Sequence, residues 1–128
     1  MKNFQYTVSS NKTFDAAVSA VERTTAEKGF RVLHTHDVAA TLAEKSFARE
    51  PLKIVEVCNA RYADDVLKRD VKVAVMLPCR IAIYAKDGAT FISTMRPSAI
   101  ADFYPDVDIA NIAAAIEKTV LEIVDEAK

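Results

Sequence analysis

The stretch Val73-Ala-Val-Met-Leu-Pro-Cys-Arg-Ile-Ala-Ile-Tyr84 constrains this chain more than any other. It is a near-continuous apolar segment, which reads as the central strand of a sheet, and Pro78 interrupts it once. Proline has no N–H to give a strand ladder, so within such a pattern it belongs at a first residue, an edge or a bulge. Cys79 therefore lies just beyond a local irregularity in the best strand of the chain.

The remaining elements follow from period and punctuation. Phe4, Tyr6 and Val8 alternate with polar residues, the period of a half-buried strand. Thr13 caps a helix whose Phe14, Val18, Val21 and Thr25 share a face, and Gly29 supplies the left-handed residue that closes it. Phe30 to His36 alternates again, with Phe30, Val32 and His34 facing one way, and pairs with the first strand. Asp37 caps a short helix through Val38 and Leu42, and residues 46–51 form a loop. Leu52 to Cys58 is a third strand, in which Glu56 shares a face with Ile54 and Cys58. Asn59 caps a mostly polar helix running to Asp70. Asp87-Gly88 is a tight-hairpin signal, and Thr90 to Met95 is the return strand. Residues 96–105 form an irregular crossing bounded by prolines. A closing helix starts near Asp106 or Asp108 and carries Ile109, Ile112, Ile116, Val120 and Ile123 as one stripe.

Strand, helix, three further strands, a return strand and a long helix make an α+β two-layer sandwich, with a mainly antiparallel sheet and helices on one face. The 128 residues form a single domain, long enough to bury roughly 65 to 70% of the unfolded chain's surface. Seventeen basic against eighteen acidic residues give a net charge of −1, which disfavours nucleic acid as the main partner, because phosphate binding needs gathered basic charge. No window approaches the roughly 20 apolar residues of a membrane span. The stretch Met1-Lys-Asn-Phe-Gln-Tyr6 lacks a signal peptide's apolar core, so a cytoplasmic protein is expected. In that compartment Cys58 and Cys79 are free thiols rather than a disulfide.

Several short landmarks recur in order along nearly the whole chain: Lys28-Gly-Phe, Asp37 to Lys45, Lys53-Ile, Cys58-Asn59, Leu77-Pro-Cys79 and Met95-Arg-Pro97. In these the chain resembles the domain of unknown function 302 family. The resemblance implies a TATA-binding-protein-like sandwich of β-α-β4-α order with short inserted helices, commonly a homodimer, in a family without an agreed activity. The architecture's name does not carry DNA binding with it. The family's motif residues match at Cys58, Asn59, Pro78 and Cys79. Arg80 falls outside that match, so the resemblance gives it no role.

The candidate site is centred on Cys79, with Cys58, Asn59, Met95 and Arg96 around it. Cys58 precedes a helix start and Cys79 precedes a cation, both settings that favour a thiolate, whereas the competing explanation is two small buried hydrophobes. Met95 and Cys79 are expected as cross-strand neighbours in the hairpin, Arg96 offers a forked cation for a carboxylate or phosphate, and the crossing folds over them as a cover. His34 and His36 share a strand face about 7 Å apart, but a metal site needs a third ligand that spacing does not supply. With only Gly29 and Gly88 there is no phosphate loop, and no hydrolase or metalloprotease signature occurs. No cofactor can be named. Two classes remain: a non-catalytic module binding a small ligand under the 96–105 crossing as a homodimer, and a thiol-dependent redox or transfer protein using Cys79 with Cys58 as resolving partner. Val55 and Val57 are expected on the sheet face that a second copy would cover.

Overall fold

The computed structural model describes residues 3–128. Met1 and Lys2, the start of the stretch read as lacking a signal peptide's core, lie outside the described residues. Five strands, β1 (Gln5–Ser10), β2 (Arg31–Asp37), β3 (Leu52–Cys58), β4 (Cys79–Lys86) and β5 (Ala89–Met95), form one sheet in the order β1-β5-β4-β3-β2. Every neighbouring pair is antiparallel. Two long helices, α1 (Phe14–Glu27) and α5 (Ala110–Ala127), cover one face. Three short helices, α2 (Val38–Ala43), α3 (Ala60–Arg69) and α4 (Ser98–Phe103), occupy connections. The expected α+β sandwich of β-α-β4-α order is the fold observed.

The main core lies between the sheet and the two long helices. Val55, Val57, Ile81, Ile83 and Ile92 point inward from the strands and meet Val18 and Val21 of α1 and Ile116, Val120 and Ile123 of α5. The caps follow the sequence: Thr13, Asp37 and Asn59 each accept from a backbone N–H three residues on. Gly29 has φ of 81°, and Asp87 and Gly88 at 52° and 82° form the two-residue hairpin turn.

Several expectations are corrected. β2 does not pair with β1. The two strands are joined through α1, a crossover that need not set its strands side by side, and they lie at opposite edges of the sheet. β5 takes the place beside β1, with Gln5 level with Met95.

The apolar run is not one strand. Val71–Met76 is a 3₁₀ helix capped by the Asp70 carboxylate, which accepts from Lys72 N at 2.9 Å, and the strand begins only at Cys79. Val73 is buried beside Val66, Ile100 and Ile109, with Met76 packed against them, in a second small core. The i, i+3 spacing of Val73 and Met76 suits a 3₁₀ turn whose side chains stack every third residue. The Leu77-Pro78 peptide is cis.

In β2 a bulge between Val32 and His34 shifts the alternation. Val32 packs on the core and Thr35 bonds Glu22 of α1 at 2.7 Å, while His34 turns to the other face. Val55 and Val57 lie fully buried under the helices, so they cannot supply a dimer surface. The 96–105 crossing contains α4, whose first turn is served by Glu117 of α5: its Oε1 accepts from Ser98 N at 3.0 Å and Ser98 Oγ at 2.6 Å. Helix α5 starts at Ala110 without a side-chain cap, and Asp108 instead pairs with Arg69 at 3.2 Å.

Ile116 belongs to the main core and is nearly sealed from solvent. Ile116→Ala should cost about 2 to 5 kcal/mol in urea unfolding, through lost burial and a residual cavity. A loss below about 1 kcal/mol would contradict this packing of α5.

Candidate functional site

The sheet face away from α1 and α5 can be built row by row from the register. His34, Glu56 and Arg80 form one row, and its continuation brings Met95 and Gln5 into line. The next row runs His36, Ile54, Ala82, Ser93 and Thr7, and the third runs Leu52, Tyr84, Phe91 and Ser9. The middle of the second row is small, Ala82 beside Ser93, between larger side chains on either side. A dip is the geometric consequence.

The dip opens into a concave cavity of about 350 Å³, within the size range of small-molecule sites. Its floor is Ala82 and Ser93, with Ile54 at one side. Met76 from the 3₁₀ helix, Pro78, and Pro97 and Ile100 at the start of α4 wall its end. Arg80, Met95 and the exposed ring of Phe4 stand at the rim. Ser93 is tied down by Gln5 Nε2 at 2.9 Å and by Thr7 Oγ1 at 2.7 Å, so the polar part of the floor is fixed.

The expected site residues divide between this cavity and a smaller cleft beside it. Cys79 lines both, and Met95 lines the larger one. Cys58 and Asn59 line only the smaller cleft, with Tyr62 and Phe30. Cys58 and Cys79 do come together, because Cys79 pairs with Val57 and so lies next to Cys58 on the adjoining strand. Both are free thiols. Burial pushes the Cys79 thiol up to about 11, the nearby Cys58 adds to the rise, and Arg80 opposes it. Burial also raises Cys58. Both shifts favour the neutral thiol, the opposite of what an activated nucleophile needs.

Asn59 is held structurally: its Oδ1 accepts from Tyr62 N at 3.2 Å and its Nδ2 donates to Gly29 O at 3.4 Å. Arg96 points to the helix side, not into the cavity. Its guanidinium lies 5.1 Å from the centre of the Tyr6 ring and 3.9 Å from Glu117, and its Nε is buried without a partner. Met95 is level with Arg80 rather than Cys79, since Ile81 pairs with Thr94. His34 and His36 lie with ring centres 4.4 Å apart on the open face, and His36 Nε2 is 3.4 Å from Glu56. Among the described residues no group of three or more His, Cys, Asp or Glu is placed to hold a metal ion.

Met76, Arg80, Ala82 and Ser93 are among the cavity residues that were not in the candidate set. Arg80, Ala82 and Ser93 were within reach of the sequence, because a two-residue Asp87-Gly88 turn pairs Lys86 with Ala89 and thereby puts Ala82 level with Ser93.

Fold and cavity together define a two-layer α+β domain with a bare, hollowed sheet face. The chain belongs to the DUF302 family, the domain of unknown function DUF302, whose sequence profile matches residues 6–127. It is similar to the crystal structure of an uncharacterised conserved DUF302 protein from Bacillus stearothermophilus, at 31% identity over 98% of each chain and a TM-score of 0.92. No curated protein matches the chain. No helix among the described residues is long and apolar enough to cross a membrane.

The raised Cys79 value has a pH consequence. The folded protein keeps this proton up to about pH 11, whereas the unfolded thiol loses it from its ordinary 9.0. Its contribution is fully present below pH 9 and lost as pH rises toward 11, by roughly 2 to 3 kcal/mol. The stability difference between wild type and Cys79→Ala, followed by urea unfolding from pH 8 to 11, should shrink by that amount. Parallel profiles would contradict the burial of this thiol.

Proposed function

We propose that the chain is a non-catalytic module that binds a small, mainly apolar ligand in the hollow over Ala82 and Ser93. The observation that carries this reading is the hollow itself: an open concavity of about 350 Å³ on a sheet face, with apolar walls from two short helices and a pinned polar floor. Met76 and Met95 at its edge suit a ligand of irregular shape, because an unbranched thioether side chain adapts to what it meets. Pro97 and Ile100 of the 96–105 crossing contribute to one wall, beside the hollow rather than over it as a cover.

The homodimer belongs to this proposal, with its contact moved from Val55 and Val57 to the open face. There the stacked rings of Tyr84 and Phe91, 5.5 Å apart, lie next to Leu52 and beyond the hollow, and supply apolar area for a second copy. Two free thiols are in keeping with a reducing, cytoplasmic setting.

The second reading, thiol redox or transfer chemistry by Cys79 with Cys58, is favoured by their adjacency. The direction of both thiol shifts weighs against it. Iodoacetamide at pH 7 should label neither cysteine of the native protein quickly, and rapid labelling of Cys79 would restore that reading.

Native mass spectrometry of untagged protein, purified without chelators, tests the binding module. Wild type should carry a small-molecule adduct, and Ala82→Phe, which fills the floor from a half-buried position, should stay folded and lose it. An adduct that survives in folded Ala82→Phe would place the ligand elsewhere. The same spectra should show a dimer mass, and a monomer at micromolar concentration would reject the dimer.

A further inference from the structure

We infer that the ligand of this cavity is an amphipathic carboxylate, its apolar body lying over Ala82 and Ser93 and its carboxylate held by Arg80; the inference rests on the binding reading above.

Among the described residues, Arg80 is the one charged residue that lines the cavity. It stands on the exposed face of β4, two residues before Ala82, so its side chain rises from the same side of the strand as the floor. Its guanidinium has little to hold it. Among the described residues it makes one hydrogen bond, a long contact of 3.4 Å from Nη1 to Pro78 O. The acid closest in register is Glu56, directly across on β3, but that carboxylate is turned to His36 Nε2 at 3.4 Å. Among the described residues no acidic one lines the cavity to compete for the cation.

A guanidinium at the edge of an apolar hollow offers parallel N–H donors to a planar carboxylate, a charge-assisted pair stronger than a neutral hydrogen bond. A single cation also limits the charge it can match. Among the described residues the lining contains no second basic residue and no glycine-rich loop, features that a phosphate group commonly uses. One negative charge on a mainly apolar molecule is therefore the complement of this site. A neutral apolar compound would fill the hollow but leave Arg80 unused, and a cationic one would meet it as a like charge.

Isothermal titration of the intact protein with octanoate, octanol and octylamine, which share a chain and differ in head group, tests this directly. For wild type we expect octanoate to bind at least ten-fold more tightly than octanol, and octylamine to bind most weakly. In Arg80→Gln, where an exposed side chain is changed and the fold is kept, the ratio of octanoate to octanol affinity should fall to near one. Glu56→Gln, which removes the nearest competing carboxylate, should keep or widen the wild-type preference. Equal binding of octanoate and octanol to wild type, or a preference that survives in Arg80→Gln, would overturn the carboxylate assignment while leaving the cavity reading intact. Binding of none of the three would overturn the cavity reading and this inference with it.

Discussion

The structure depends on one constraint: two long helices can shield only one side of a five-stranded sheet. Five strands place their edge axes roughly 19 Å apart, and two packed helices, each about 10 Å across, cover that width once. With α1 and α5 both on the same face, most of their apolar stripe and the inward strand residues Val55, Val57, Ile81, Ile83 and Ile92 are used there. The opposite face must make its own terms with water. It does so unevenly, with charged and imidazole side chains toward β2, a Tyr84–Phe91 stack at one end, and a hollow between Ala82 and Ser93 at the other.

The short elements make sense in that light. The 3₁₀ helix and α4 build a second small core from Val66, Val73, Ile100 and Ile109, set beyond the end of the main one. This core carries Met76 and Ile100 out to the rim of the bare face, where they wall the hollow. Arg96 and Glu117 hold the arrangement from behind: Glu117 receives the first turn of α4 and approaches the Arg96 guanidinium, which in turn lies over Tyr6. Arg96 thus steadies the wall.

Much of this was legible from residue type and spacing. Thr13, Asp37 and Asn59 cap where a short polar side chain precedes an apolar period, and the Ile112 to Ile123 stripe is a helix because its apolar residues return every three or four positions. Asp87-Gly88 fixed the hairpin because its positive φ angles suit few other pairs. What escaped was non-local. No local pattern says that β5, rather than β2, lies beside β1, since that choice is made by the pairing of the whole sheet. The Val73 to Met76 residues have strand-like composition, yet Asp70 caps them into a 3₁₀ turn and the second core rewards it. The extra residue at the β2 bulge reverses which way His34 faces. In the site, Cys79 and Met95 were found because they flank an irregularity and end a hairpin. The floor of the hollow was missed because smallness is a property of a row, Ala82 beside Ser93, and rows exist only once the register is set.

The central claim is that a small molecule occupies the hollow on the bare sheet face, and the two methionines at its edge allow a direct reading. With carbon-13 in the methionine methyl groups, assigned through Met76→Leu and Met95→Leu, an octanoate titration followed by NMR should move the Met76 and Met95 signals together, along one saturating curve. If calorimetry shows the protein saturated while both signals stay where they were, the ligand is bound elsewhere and the account is wrong.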